Sequence, residues 1–214
     1  MKKRSKLFVF ILLLGVLFYC KDDIYNYTYS LINSGSSSSN MEDIADYNGN
    51  NYVIVNDNNP YFKEEEYTTD SFEKYSELDS LGRCGVAYAN ISKELMPTEK
   101  RGSIGMIKPS GWHTIKYDHI DGKYLYNRCH LIGYQLTGEN ANEKNLITCT
   151  RSMNTKGMLQ FENMVTKYIK DTGNHVFYRV TPVFEGNNLV ATGVEMEAYS
   201  VEDSGKGIKF NVFV

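Results

Sequence analysis

The sequence predicts an α+β fold, in which helices pack against an antiparallel β-sheet. Apolar residues recur at helical spacing between positions 154 and 170, and three β-rich runs follow at 175–184, 189–199 and 208–214. Turn-forming Gly, Asn and Asp residues separate these runs, which are therefore expected to form an antiparallel meander. With 214 residues, 42% of them hydrophobic, the chain is long enough for one domain with a substantial core.

The N-terminal segment, residues 1–20, has the pattern of a signal peptide or a membrane anchor. Basic residues come before an almost purely apolar run at positions 7–19. This run is short for a spanning helix, and bulky residues stand where a signal peptidase prefers small ones. Lipid modification of Cys20 is a further alternative. In each case the rest of the chain is expected outside the cytoplasm, either secreted or at the cell surface.

Residues 21–45 are polar and rich in Ser, which is typical of a flexible tether. The folded domain is therefore expected to span residues 46–214. A short strand is predicted at 52–55, before the turn-rich stretch NDNNP. Residues 71–81 are predicted to form a helix, because a Ser can cap the first turn and a Gly follows the last residue.

The middle of the domain is predicted to consist of loops and short strands. Residues 82–125 are rich in Gly and Lys, with β-prone pieces at 86–88 and 113–117. A further strand-like piece lies at 146–148. The elements of the predicted sheet are thus interrupted by a long irregular region.

The net charge of −3 hides a strong asymmetry along the chain. Residues 41–80 carry eleven Asp or Glu against two Lys, whereas residues 81–170 carry thirteen Lys or Arg against seven acids. The acidic block at 41–80 and the basic block at 81–170 would each be explained as a solvent-exposed charged face of the protein. The basic block would also suit binding of a polyanionic partner.

Three cysteines lie in the body of the chain: Cys84, Cys129 and Cys149. An odd number cannot form a complete disulfide framework, although an oxidising exterior permits one bond and one spare thiol. No two of them have C-x-x-C spacing, which argues against a metal site built from Cys.

The stretch YNRCHLIGYQLTGENANEKNLITCTRSMN, residues 126–154, contains one His and five Asn. A lone His such as His130 is more often a structural residue, but Arg128 precedes it by two positions. In a strand the two side chains share a face, so a general base would lie beside a phosphate-binding guanidinium.

Asparagine oxygens in this stretch suit a hydrated Mg²⁺ ion, which keeps most of its water ligands. Asn145 ends a turn-rich segment, and Asn154 lies eight residues before Glu162 on the predicted helix. At 100° per residue the latter two are separated by roughly 80° around the helix axis, so one face can present both. Each Asn taken alone is more simply explained as a cap or a turn residue.

These motifs resemble the DNA/RNA non-specific endonucleases, which have a ββα-metal (His-Me finger) site. Their signature is Asp-Arg-Gly-His followed by a metal-binding Asn, and this chain has Asn-Arg-Cys-His at 127–130. The likeness runs from about residue 52 to the C-terminus. Because relatives usually continue beyond the last strand-like run, a C-terminal truncation is also expected. The matching positions are Leu131, Ile132, Gly133, Tyr134, Asn142, Glu143, Lys144, Asn145, Asn154, Glu162, residues 178–181 and residues 210–212.

The resemblance implies a role for each matching residue. His130 would be the general base, and Asn145 would be the one direct protein ligand of Mg²⁺, for which Mn²⁺ is expected to substitute. Glu162 would act through metal-bound water, Arg128 would contact phosphate, and Asn154 would support the site. The reaction would be attack of water on a phosphodiester bond, without a covalent intermediate.

Two residues depart from the family signature. Asn127 replaces the Asp and removes one anion near the metal, which would weaken metal binding or alter the metal preference. Cys129 replaces the Gly, and its side chain would point away from that of His130 in an extended segment. We expect Cys129 to be buried or bonded to Cys84.

The basic block would line a groove that follows the DNA or RNA backbone, as cleavage without sequence preference requires. Trp112, the only Trp, is interpreted first as a core residue beside a turn and second as a platform for a base. The candidate groove residues are Lys100, Arg101, Lys108, Lys116, Lys123, Arg128, Lys144 and Arg151.

Two other functions fit parts of the sequence. A surface-tethered nucleic-acid-binding module without catalysis is suggested by the loss of the signature Asp at Asn127. A thiol hydrolase would pair Cys149 or Cys84 with His130, and would be blocked by thiol alkylation but not by a chelator.

Overall fold

The computed structural model describes Ile44 and residues 49–214. The predicted export segment and nearly all of the predicted tether lie outside the described residues. Within the described part, no helix is both long enough and apolar enough to cross a membrane.

Six of the eight described strands form one antiparallel sheet, in the order β1-β8-β7-β6-β3-β2, and β4 pairs with β5 in a separate hairpin. Two α-helices accompany them, α1 (Tyr134–Thr137) and α2 (Leu159–Thr172), and a π-helix at Met153–Met158 leads into α2. Short 3-10 turns lie at Asn56–Asn58, Glu64–Glu66 and Glu143–Asn145. The strands are β1 (Val53–Ile54), β2 (Phe72–Tyr75), β3 (Ala87–Ile91), β4 (Tyr126–His130), β5 (Leu146–Thr150), β6 (Val176–Val183), β7 (Gly193–Ser200) and β8 (Lys209–Phe213).

One face of the large sheet carries the main hydrophobic core. Successive side chains of a strand point to opposite faces, so alternate residues of β3, β6, β7 and β8 reach this core. Helix α2 covers it with Phe161, Val165 and Ile169, which repeat at helical spacing and are buried. The sheet residues in the core are Ala87, Ala89, Ile91, Val176, Tyr178, Val180, Val194, Met196, Ala198, Phe210 and Val212.

The opposite face of the sheet is covered by the chain segment that leads into β2. Phe62 and Tyr67 from this segment make edge contacts with the ring of Phe177, and Tyr67 stacks on Tyr199 with ring centroids 4.6 Å apart. Both faces of the sheet are therefore buried, although the described residues form only two α-helices.

A buried ion pair lies beneath this aromatic layer. The Arg179 guanidinium donates to the Glu197 carboxylate, the Glu197 carboxylate also accepts from the backbone N–H of Tyr61, and Phe62 lies 4.9 Å from the guanidinium carbon. Because the charges are paired and hydrogen-bonded, their burial is tolerated.

The predicted C-terminal meander and the strand at 52–55 are confirmed, as is the helix that ends near position 170. The helix predicted at 71–81 is wrong, because Phe72–Tyr75 is strand β2 and pairs with β3. The Ser71 hydroxyl, expected to cap a helix, instead contacts the Ser92 hydroxyl at 2.7 Å. The piece at 113–117 forms only an isolated bridge between Lys116 and Tyr124.

The hairpin β4–β5, followed by the π-helix and α2, forms a ββα unit. The register pairs Arg128 with Thr148 and His130 with Leu146. Because β4 is a strand, Arg128 and His130 share one face of it, as the sequence predicted.

A disulfide joins Cys129 to Cys149, with their Cα atoms 5.9 Å apart. Of the two expectations for Cys129, burial is confirmed, with no exposed surface, and the bond to Cys84 is wrong. Cys149 lies diagonally across the hairpin on the same face as Cys129, at a separation that suits a disulfide. Cys84 is buried and free, and its Sγ atom lies 3.2 Å from the carbonyl oxygens of Glu143 and Leu146, which share its single S–H donor.

Candidate active site

His130 ends strand β4 and is almost fully buried, with a relative exposure of 6%. Its Nε2 atom lies 2.7 Å from the backbone oxygen of Asn140. A carbonyl oxygen can only accept, so the proton of the neutral ring is on Nε2 and the lone pair is on Nδ1. The Nδ1 atom lies 3.4 Å from Nη2 of Arg101.

The surroundings of His130 keep the imidazole neutral. Burial lowers the pKa of His130 below its ordinary value, and the nearby positive charge of Arg101 lowers it further, although the hydrogen bond to Asn140 acts in the opposite direction. At neutral pH the ring is therefore in the form that can accept a proton.

Arg128 is held from three sides. Its Nε donates to the carbonyl oxygen of Ile107, its Nη2 donates to that of Gly105 at 3.0 Å, and its guanidinium carbon lies 3.8 Å from the ring centre of Trp112. These contacts leave three of its five N–H groups without a partner among the described residues.

Asn145 does not lie where a cation can reach it. The residue has no exposed surface, its Oδ1 accepts from the backbone N–H of Ile132 at 2.8 Å, and its Nδ2 donates to the Ile132 carbonyl at 3.0 Å. Both ends of the amide thus tie the start of β5 to the segment after β4. A magnesium ion that keeps several waters needs an open ligand, so the structure does not support Asn145 as the direct ligand.

Asn154, unlike Asn145, borders open space. It lies in the π-helix, it is half-buried, and its carboxamide makes no hydrogen bond within the described part of the chain. The angle predicted from 100° per residue does not apply, because the π-helix separates Asn154 from Glu162.

Glu162 lies in the first turn of α2 and is 8% exposed. Burial raises its pKa to about 7, against opposing effects from Gln135 and Arg101. The residue that accommodates its carboxylate is Gly133, where an added Cβ would stand 2.6 Å from Oε2. Arg101 therefore acts electrostatically on both His130 and Glu162.

A cleft of about 640 Å³ opens beside this group. Its lining includes three arginines and no carboxylate, which makes it electropositive. The lining residues are Arg101, Ile104, Trp112, Thr114, Gly122, Tyr124, Tyr126, Asn127, Arg128, Arg151, Asn154 and Thr155.

The structure brings together some of the predicted groove residues but not others. Arg101 and Arg151 line the cleft, whereas Lys144 forms an ion pair with Glu77. Lys100 and Lys108 are exposed but are not part of the lining.

Arg151 is engaged by a neighbouring carboxylate. Its Nε and Nη2 both donate to Oδ2 of Asp121, in the loop that bridges Lys116 to Tyr124. The Asp121 side chain is 86% exposed, so solvent screens this pair. Phosphate must therefore compete with Asp121 for this guanidinium.

Trp112 is half-buried and lines the cleft, so its interpretation as a core residue is wrong. Arg128 covers one face of its indole, and the interpretation of Trp112 as a platform for a base stays a prediction. Its place in the cleft could not be found from the sequence, because the contact depends on the loop that carries it.

Three further contributors could not be found from the sequence. Tyr124 and Tyr126 line the cleft, and a tyrosine-rich composition gave no signal that singled them out. The carbonyl of Asn140, which orients His130, is a backbone group and so leaves no mark in the sequence.

The structure does not provide a reactive thiol for His130. Cys149 is in the disulfide, and burial raises the pKa of Cys84 to about 11. A thiolate is the reactive species, so neither cysteine supports the thiol-hydrolase interpretation.

Solved nuclease structures share this arrangement of sheet, hairpin and helix. NucA from Streptococcus agalactiae with magnesium bound superposes with a TM-score of 0.67 at 23% identity, over 76% of this chain and 79% of that chain. The metal-free NucA structure also gives 0.67, at 24% identity over 81% and 83%. Sda1 nuclease with a bound zinc ion gives 0.56, at 30% identity over 67% and 73%.

These likenesses and the cleft place the chain in the class of nucleases with an α+β fold. The family follows from the sequence pattern of DNA/RNA non-specific endonucleases, which matches residues 62–202. The chain belongs to this family.

Proposed function

We propose that this protein is a Mg²⁺-dependent endonuclease that hydrolyses phosphodiester bonds of DNA and RNA without sequence preference. The observation that carries the proposal is the fixed tautomer of His130, whose Nε2 proton is held by the Asn140 carbonyl at 2.7 Å. This leaves Nδ1 as a base beside a cleft lined by arginines.

In the proposed reaction, His130 takes a proton from the attacking water at Nδ1. Burial and the charge of Arg101 lower the pKa of His130, which leaves Nδ1 unprotonated at neutral pH. The attacking water must compete with Nη2 of Arg101, which lies 3.4 Å from this atom. A positioned base of this kind contributes roughly 10²–10⁴-fold to the rate.

The arginines hold the substrate through its phosphates. Arg128 has three N–H groups without a partner among the described residues, and a planar guanidinium matches the oxygens of a phosphate. These contacts carry no base information, so they support cleavage of both DNA and RNA at many sequences.

Asn154 is better placed than Asn145 to be a ligand of the metal ion. Asn154 offers an oxygen at the cleft and has no partner within the described chain, whereas the oxygen of Asn145 is buried against Ile132. Glu162, with Gly133 making room for its carboxylate, would accept hydrogen bonds from the waters of the ion. When bound, Mg²⁺ would stabilise the negative charge that develops on the phosphate and on the leaving oxygen, and Mn²⁺ is expected to substitute.

NucA was solved with magnesium bound, and this supports the choice of ion.

Asn127 lines the cleft in place of the signature carboxylate, so it supplies a neutral oxygen rather than an anion. One negative charge fewer is expected to weaken metal binding without abolishing it.

We also propose that the protein acts outside the cytoplasm, secreted or anchored to the cell surface. The Cys129–Cys149 disulfide forms and persists in oxidising surroundings, and the basic and apolar segment at residues 1–20 suits export. The membrane would be a partner of the protein only if this segment is retained.

The activity is tested with plasmid DNA and RNA, in Mg²⁺ or in chelator, for the wild type and for His130→Ala. We expect cleavage of both substrates that needs the metal and is lost in the variant. Cleavage that survives either the chelator or the substitution would contradict the mechanism. Retention of DNA without cleavage would instead favour a binding module.

The metal ligand is tested by comparing Asn154→Ala with Asn145→Ala. Asn154→Ala is expected to abolish the calorimetric signal of Mg²⁺ binding with little change in melting temperature. Asn145→Ala leaves the N–H and C=O of Ile132 without partners, so it should lower the melting temperature instead. The opposite pattern would restore Asn145 as the ligand.

A further inference from the structure

The indole of Trp112 lies against the guanidinium of Arg128 in the lining of the cleft. The guanidinium carbon lies 3.8 Å from the ring centre. Planar guanidinium groups stack well on aromatic faces, and Trp gives the strongest attraction to a cation of the three aromatic side chains. The contact therefore limits how far the Arg128 side chain can swing.

The backbone on either side of the guanidinium completes the restraint. The carbonyl oxygens of Gly105 and Ile107 accept from Nη2 and Nε of Arg128. With two N–H groups fixed and one face covered, the orientation of the remaining donors is set before a substrate arrives.

The loop that carries Trp112 is itself fixed to the hairpin. The Thr148 hydroxyl donates to the Ser110 carbonyl at 2.8 Å, and Thr148 is the residue paired with Arg128 across β4 and β5. The Ser110 hydroxyl donates to the carbonyl of Leu189 at 2.7 Å. The loop that carries Trp112 is thus held both to the hairpin that carries Arg128 and to the connection between β6 and β7.

We propose that Trp112 is a positioning residue, which holds the Arg128 guanidinium in the orientation that receives the scissile phosphate. This inference rests on the proposed nuclease function. It assigns Trp112 no contact with the base and no part in proton transfer. Its effect on the reaction passes through Arg128 alone.

The test is a double-mutant cycle of Trp112→Leu and Arg128→Ala, measured as kcat/KM on plasmid DNA. In the wild-type background Trp112→Leu should lower kcat/KM roughly three- to tenfold, as loss of a partly buried cation–π contact predicts. In the Arg128→Ala background the same change should have almost no effect. Trp112→Phe keeps an aromatic face and should recover most of the activity.

Equal losses in the two backgrounds would overturn the proposal, because they would show that Trp112 acts independently of Arg128. If Trp112→Leu folds poorly, the cycle is run with Trp112→Phe instead. This substitution should lower kcat/KM by a smaller factor in the wild-type background, and it should have no effect in the Arg128→Ala background. Phe184→Leu is the matched control, because it removes a cation–π contact with Arg83 outside the cleft lining. It should leave kcat/KM unchanged.

Trp112 is the only Trp in the chain, so tryptophan emission reports on the contact directly. Arg128→Ala uncovers one face of the indole and should shift the emission maximum to the red, whereas His130→Ala should not. An unchanged emission maximum in Arg128→Ala would also overturn the proposal. The emission measurement does not depend on catalysis. If the wild type cleaves neither DNA nor RNA, the proposed function is refuted, but the contact between Trp112 and Arg128 can still be tested by emission.

Discussion

Opening the Cys129–Cys149 bond should cost the folded domain about 3 kcal/mol of its free energy of unfolding. The two cysteines are 20 residues apart, and the chain-entropy relation for a loop of that length gives this value at 25 °C. For a domain of this size, each kcal/mol lowers the melting temperature by roughly 2–4 °C. The expected fall is therefore about 6–12 °C.

The assay is thermal unfolding with and without a dithiol reductant, for the wild type and for the double variant Cys129→Ser/Cys149→Ser. Reductant should lower the melting temperature of the wild type to near that of the variant, and should not change the variant. Activity should fall as well, because the bond fixes strand β4, which carries Arg128 and His130, to strand β5.

The pairing itself is checked by digestion without reductant and mass spectrometry, where one peptide pair should be joined through Cys129 and Cys149. A peptide joined through Cys84 would refute the pairing. A melting temperature insensitive to reductant, with the bond shown to be open, would refute the estimate of its contribution.

Three further predictions concern His130, Glu162 and Gly133. The acid limb of kcat/KM should lie below pH 6.5, because burial lowers the pKa of His130, and a limb above that value would contradict the assignment of the base. The pKa of Glu162 is raised to about 7, so the folded state binds the extra proton and stability should fall as pH rises from about 4.5 through 7. In chelator, the melting temperature of Glu162→Gln should therefore exceed that of the wild type at pH 8 but not at pH 4. A difference in melting temperature that is the same at both pH values would show that ionisation of Glu162 is not its cause. Gly133→Ala places a methyl group 2.6 Å from the Glu162 carboxylate and should cost about 1–3 kcal/mol in unfolding experiments, a loss that should vanish in a Glu162→Ala background.

The parts of the fold that the sequence predicted well are those with a strong local pattern. Runs of β-forming residues separated by turn residues marked β6, β7 and β8, and helical spacing marked α2. The 71–81 region failed because its structure depends on distant partners. Phe72 packs on Tyr88 and Phe177, which belong to other strands, and no local pattern records those contacts.

The sequence predicted which residues belong to the candidate site better than it predicted how they are arranged. His130 and Arg128 could be placed together because a strand has a fixed side-chain period. The sequence favours Asn145 over Asn154 as the metal ligand, whereas the burial of Asn145 against Ile132, which no local pattern records, favours the reverse. The disulfide partner likewise needed the β4–β5 register, which determines whether Cys149 or Cys84 lies beside Cys129.

The family match ends before the sheet does. It covers residues 62–202, whereas β1 and β8 lie outside these limits, and β8 supplies Phe210 and Val212 to the core. A recombinant fragment cut at the limits of the match would leave β7 as a bare edge with unpaired backbone groups and an open hydrophobic surface, a template for aggregation. Fragment boundaries for expression therefore belong before residue 53 and after residue 213.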